Sequence, residues 1–244
     1  MIRILYALLV TITLVSCNAS LNDPQKIIDK AIAASGGEKY LKSKIEFDFR
    51  GRHYVAERDG GIFSYERIFK DSDNNIHDFV SNDGFKREIN DAPVEVADTM
   101  QVKYTSSVNS VIYFALLPYG LNDAAVQKKL LGETTIENVG YYIIEVTFAQ
   151  EGGGEDHEDV FIYWISKTDF TIGYMAYSYE EEDDGIGLRF RKAYNPRTVN
   201  GILFLDYINL KPKGETPFTS LEELYKKGEL EELSKIELMN IRVK

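Results

Sequence analysis

Residues 160–165 read Val-Phe-Ile-Tyr-Trp-Ile, six apolar positions in a row. The run is short, β-branched and aromatic, which marks a strand rather than a helix. Side chains of a strand alternate between the two faces of its sheet, so this strand needs apolar cover on both. The segments around it are of the same kind. Tyr141–Ala149, Asp159–Ser166, Ile172–Glu180, Gly187–Tyr194 and Ile202–Leu210 are aromatic and β-branched, separated by short polar turns. That spacing predicts a consecutive antiparallel meander.

Upstream the period is two as well. Ile45, Phe47 and Phe49 alternate with Glu46, Asp48 and Arg50, and Phe63, Tyr65, Arg67 and Phe69 resume the pattern after the Asp59-Gly60-Gly61 turn. Turns at Asp73-Asn74-Asn75 and Asn82-Asp83-Gly84 bound strands near 76–81 and 85–90, and a last strand is predicted over 236–243. Between and before these lie helices. Asp23 is placed to cap and Pro24 to start a first helix, with Ile27, Ile28, Ala31 and Ile32 on one face and Ser35-Gly36-Gly37 as its stop. A second is predicted over Asp98–Leu117, with Asp98 as N-cap and Leu117-Pro118-Tyr119-Gly120 ending it. Short helices are read over Asp123–Leu131 and after the capping-box pattern Ser220-x-x-Glu223.

No strand–helix alternation and no repeat is visible, which excludes parallel α/β barrels, their Schiff-base aldolase chemistry, and solenoids. Two amphipathic helices can cover one face of the meander. The other face needs a second layer, the curvature of the sheet itself, or a ligand. The expected fold is mainly β (α+β): a strongly curved antiparallel sheet, a half-barrel of about ten strands, with two or three helices packed on or in its concave side.

The N-terminus reads as an export signal. Arg3 precedes an apolar run from Ile4 to Val15, too short to span a bilayer as a helix, and Leu14-Val15-Ser16-Cys17 looks like a bacterial lipobox. Cys17 is the sole cysteine, so disulfides and Cys-based metal sites are excluded. The expected organisation is a removed lipoprotein signal peptide (1–16), a lipidated tether (17–23) beginning at acylated Cys17, and one half-barrel domain (24–244). Acyl chains such as palmitate would hold the protein on the cell envelope, at the outer membrane in its periplasmic or surface leaflet. The formal net charge of −11 argues against nucleic acid and against a basic membrane-docking patch. Oligomeric state is left open.

With this pattern the chain resembles the half-barrel fold of the Lol lipoprotein carriers, a curved sheet closed by helices over an apolar cavity. It is also similar to a family of Bacteroidota lipoproteins of unknown function. That resemblance rests on Asn109-Ser110-Val111-Ile112-Tyr113-Phe114-Ala115-Leu116-Leu117-Pro118, the 152–159 segment, Tyr163-Trp164, Tyr174-Met175-Ala176-Tyr177, Gly187-Leu188-Arg189-Phe190-Arg191 and Asp206-Tyr207-Ile208-Asn209. It implies a fold and a membership, and no activity.

Three functions stay open on the residues themselves. The first is non-catalytic binding of an apolar or amphipathic ligand, a lipid or acyl chain. Trp164, Tyr174 and Tyr177 would line its cavity, and Arg189 and Arg191, which alternate with Leu188 and Phe190, would meet a carboxylate or phosphate head. The second is a metal-dependent hydrolase on the 151–159 loop, with Asp156, His157 and Asp159 as ligands for Ca²⁺ or another divalent cation. The third is a structural or interaction module of an envelope complex. The acidic run Glu180–Gly185 reads as a solvated turn, and His53 and His77 as structural residues. No nucleophile elbow, phosphate loop or His-Glu-x-x-His stands in the chain.

Overall fold

The computed structural model describes residues 21–151, 158–181 and 185–244. Its first helix, α1 (Pro24–Ser35), starts where the sequence places it: the Asp23 carboxylate accepts hydrogen bonds from the backbone N–H groups of Gln25 and Lys26. It ends at Gly36, whose φ of 150° is a conformation that side-chain-bearing residues rarely adopt. A Cβ there would also come within 2.9 Å of the Tyr40 ring and 3.2 Å of the Ile202 side chain. Glycine thus lets the chain turn tightly between two packed elements.

Six strands follow: β1 (Lys42–Phe49), β2 (Arg52–Asp59), β3 (Ile62–Asp71), β4 (Asn74–Ser81), β5 (Gly84–Ile89) and β6 (Ala92–Val94). After α2 (Asp98–Ala115) come β7 (Val126–Ile136), β8 (Val139–Phe148), β9 (Val160–Ser166), β10 (Ile172–Glu181), β11 (Gly185–Val199), β12 (Ile202–Pro212), the short α3 (Leu221–Lys226), β13 (Leu230–Ile236) and β14 (Met239–Val243). They form two seven-stranded antiparallel sheets, ordered β14-β1-β2-β3-β4-β5-β6 and β13-β12-β11-β10-β9-β8-β7. The fold is mainly β, with helices packed on it, and the predicted meander is intact from β8 to β12.

Among the described residues there are fourteen strands rather than about ten, because β2, β6, β7 and β13 escape the alternation analysis. One of these corrects a predicted helix. Residues 123–131 pass from a 3-10 turn into β7, where exposed and half-buried residues alternate and the backbone pairs with β8. Ala, Gln, Lys and Leu favour a helix there, and strand pairing overrides that weak preference. Two caps are corrected too. Asp98 is the first residue within α2 and does not cap it. The Ser220 hydroxyl donates to the Pro217 carbonyl instead of capping α3.

The predicted last strand is broken at Glu237–Leu238, and the break joins the two sheets: β13 pairs with β12, β14 with β1. Asp206, buried at this corner, accepts from the Leu238 N–H at 3.0 Å and from Arg197 at 2.8 Å. Arg197 donates in turn to the Leu238 carbonyl at 2.6 Å. A register shift in β11 between Tyr194 and Arg197 bends that strand beside the clamp.

Three apolar clusters hold the elements. On the first sheet, Ile45, Phe47, Tyr54 and Val80 pack under Val108, Ile112 and Leu116 of the α2 region. On one face of the second sheet, Phe161, Tyr163, Ile165, Met175 and Tyr207 pack under α1 and the end of α2. On its other face, Ile162, Trp164, Tyr174 and Phe190 pack under Leu221 and Tyr225 of α3. Both faces of the 160–165 run are therefore covered by protein. The indole N–H of Trp164 donates to Glu222 at 2.9 Å, which also fastens α3 down.

Candidate functional site

Helix α2 leans on the first sheet through Val108 and Ile112 and on the second through Tyr113 and Phe114. The Tyr113 hydroxyl lies 2.9 Å from that of Tyr163 on β9. Beside this contact, where the two sheets meet, the packing leaves a hollow of about 520 Å³. Its apolar walls come from Val111, Phe114 and Ala115 of α2, Leu205 of β12, and Leu233 and Ile236 of β13. Its polar wall is built by the alternation of three adjacent strands: Tyr177 on β10, Arg189 and Arg191 on β11, Tyr207 and Asn209 on β12.

Arg191 dominates that wall. It is 7% exposed, it donates to the Tyr177 hydroxyl at 2.7 Å, and its guanidinium carbon sits 4.3 Å from the Phe114 ring centre and 4.8 Å from that of Tyr177. Aromatic faces attract the cation but do not neutralise it. Burial pushes the guanidinium below its ordinary pKa, with the tyrosines Tyr177, Tyr207 and Tyr163 acting against the shift. Burial in turn pushes the Tyr207 hydroxyl well above its ordinary value.

Arg58 is set in a similar way, over the Tyr65 and Tyr119 rings with its Nε unmatched, whereas three other guanidinium groups are paired with carboxylates. Arg67 and Arg87 both hold Asp78, and Arg197 holds Asp206. Four buried side-chain polar atoms lack a hydrogen-bond partner among the described residues, and two of them, Arg191 Nε and Asn209 Oδ1, belong to residues paired across β11 and β12. A buried polar group left unmatched costs about 1–3 kcal/mol, and more when charged. Structures keep such groups where something else supplies the partner.

The sequence candidates divide between two faces. Tyr177, Arg189 and Arg191 are brought together at the hollow. Trp164 and Tyr174 are not: they lie on the opposite face of the second sheet, packed under α3 with Phe190 and Tyr225. Strand parity already separates Tyr174 from Tyr177, which are three residues apart. Phe114, Tyr207 and Asn209 were missed as site residues, since no local pattern ties a helix residue to a strand nearly a hundred positions away. The spacing of Leu205, Tyr207 and Asn209 was the available signal.

The metal candidates Asp156 and His157 lie outside the described residues, and Asp159 precedes β9. Among the described residues, no group of three or more His, Cys, Asp or Glu side chains is placed to hold a metal ion. The loop from β8 to β9 and the turn from β10 to β11 leave the second sheet at the same end. His53 contacts Asp48 at 2.7 Å and His77 contacts Glu66 at 2.8 Å, both within the first sheet. A second hollow, about 670 Å³, lies between β5, β6 and the start of α2, and mixes Glu88, Glu95 and Asp98 with Lys86 and Arg87. Cys17 is outside the described residues. Among those described, no helix is long and apolar enough to cross a membrane.

Residues 3–238 match the model of a family of unknown function, DUF6503. No curated protein matches the chain. Among solved structures it is similar to a LolA superfamily protein of Nitrosomonas europaea, at 11% identity over 90% of this chain and 92% of the other, with a TM-score of 0.46. It is similar also to a DUF1329 family protein of Desulfovibrio piger, at 11% identity over 90% and 93% of the two chains and a TM-score of 0.41. A domain from Vibrio parahaemolyticus named for outer-membrane lipoprotein sorting has 7% identity over 90% and 91%, with a TM-score of 0.44.

Proposed function

The chain belongs to the DUF6503 family of unknown function, and we propose that it is a lipid-anchored envelope protein that holds one amphiphilic chain in the hollow beside α2, without catalysis. In this reading residues 1–16 are removed, Cys17 carries the acyl groups, 18–23 form the tether, and the remainder is the ligand-holding domain on the outer membrane. The observation that carries the reading is the hollow itself. Its volume is about 520 Å³. That suits one acyl chain with its head. Each methylene removed from water contributes about 0.8 kcal/mol, so a single chain suffices for tight binding.

The test uses the full chain carrying Cys17→Ser, so that its own acyl groups do not interfere. Native mass spectrometry should show one bound single-chain lipid per chain. Val111→Trp, which fills the hollow from α2, should abolish it while leaving the fold intact by circular dichroism. A parent chain that stays empty after exposure to hexadecanoate, hexadecyl phosphate and hexadecanol sinks the proposal. Loss of radiolabelled palmitate and of membrane attachment in Cys17→Ser checks the anchor separately.

A further inference from the structure

Resting on that reading of the hollow, we infer that its occupant carries an anionic head, a carboxylate or a phosphate, and that Arg191 and Asn209 are the groups that recognise it. Four observations point the same way. The described lining contains three arginines, Arg50, Arg189 and Arg191, and no Asp or Glu, in a chain whose net charge is −11. Chance sampling of such an acidic protein does not favour that set. Arg191 is the buried member, and the groups around it are aromatic rings and hydroxyls rather than a carboxylate. Its Nε–H has no partner among the described residues. Asn209, its cross-strand neighbour, has an unmatched amide oxygen on the same wall.

These last two fit together once an anion is present. Asn209 is fastened by its amide nitrogen to the Ser234 hydroxyl at 3.3 Å. Turning the amide over exchanges its ends: the Ser234 hydroxyl then donates to the amide oxygen, and the amide N–H₂ faces the hollow. Arg191 and Asn209, at paired positions of β11 and β12, both line the hollow, so their N–H groups lie on the wall where the head would rest. The Tyr177 hydroxyl, which accepts from Arg191 Nη2, keeps its own proton to donate. A planar guanidinium edge beside two further donors matches an oxyanion, and the oxyanion supplies the missing counter-charge. The apolar wall of Val111, Leu205 and Ile236 takes the chain. An alcohol or an uncharged ester leaves the guanidinium uncompensated, so the site discriminates by charge as well as by length.

The experiment compares hexadecanoate, hexadecyl phosphate and hexadecan-1-ol on the full chain carrying Cys17→Ser, by displacement of a fluorescent fatty acid. Both acids should bind about tenfold or more tightly than the alcohol. Arg191→Met should bring the acids down to the alcohol's affinity and leave the alcohol's unchanged, and Asn209→Leu should act in the same direction. Equal binding of acid and alcohol by the parent chain overturns the anionic assignment while leaving chain binding in place. Failure of all three amphiphiles overturns the underlying reading as well. Acetate and inorganic phosphate are the head-only arms: if either displaces the probe as well as the amphiphiles do, the site serves a free anion and the headgroup assignment fails. The parent-chain comparison stands whether or not Arg191→Met folds.

Discussion

Asp78→Asn tests whether the charge cluster beneath α2 holds the first sheet together. Asp78 is fully buried. It accepts from Arg67 at 2.9 and 2.6 Å and from Arg87 at 2.6 and 3.0 Å. Arg67 reaches on to the Ser107 hydroxyl of α2 at 2.7 Å, and Arg87 lies over the Tyr104 ring. Asparagine keeps the shape, removes the one negative charge, and turns one acceptor into a donor facing a guanidinium. Removing one member of a buried ion pair costs about 3–5 kcal/mol, chiefly because the partner stays buried without compensation. That is a large part of a typical folding free energy of about 5–15 kcal/mol. At roughly 2–4 °C per kcal/mol for a chain of this size, the midpoint should fall by roughly 6–20 °C. The assay is thermal unfolding for the midpoint and urea unfolding for the free energy, on the full chain carrying Cys17→Ser, followed in parallel by circular dichroism and by fluorescence of Trp164, the sole tryptophan. Glu57→Gln is the comparison, since its pair with Lys44 is 3.4 Å long and exposed; it should cost less than about 1 kcal/mol. If Asp78→Asn costs no more than Glu57→Gln, the reasoning fails.

Two further perturbations address other parts of the fold. Glu222→Ala leaves the buried Trp164 indole N–H and the Thr134 hydroxyl without their shared acceptor, which should cost about 1–3 kcal/mol; a red shift of Trp164 emission would show α3 lifting from the sheet, and an unchanged spectrum and midpoint would refute its role as a fastener. Stability should also fall in acid. Hydrogen bonds from Asn240 and His53 hold Asp48 below its ordinary 3.8, and those from Lys192 and Tyr225 hold Glu137 below its ordinary 4.5. A depressed carboxyl contributes stability that is present above its unfolded value and is lost as pH falls through the folded one. Unfolding free energy should therefore decline below pH 4.5, less steeply in Glu137→Gln; a rise on acidification would contradict the assignment.

Much of the second sheet is legible from local pattern. Turn residues and β-branched runs mark β8 to β12, and two-residue spacing puts Arg189 and Arg191 on one face of β11 whatever else the chain does. The same rule separates Tyr174 from Tyr177. What pattern does not give is which face turns inward. In Val160–Ile165 both faces are apolar, so nothing local distinguishes the side that meets α1 from the side that meets α3. Strand β7 was missed for the related reason that its residues favour a helix alone and extend when β8 is there to pair with.

By itself, then, the amino-acid order determined the strand periodicity, the Asp23–Pro24 start of α1, the lone cysteine after an apolar run, and the covered nature of the 160–165 strand. These follow from interactions within a few residues, where spacing is geometry. Tertiary structure alone decided that Phe114 of α2 comes to rest over Arg191 of β11, that Arg67 and Arg87 share Asp78 as their counter-ion, and that Arg191 is left with aromatic rings and hydroxyls instead of a carboxylate. Whether a buried cation has a counter-ion depends on groups far apart in the chain, and only packing brings those together.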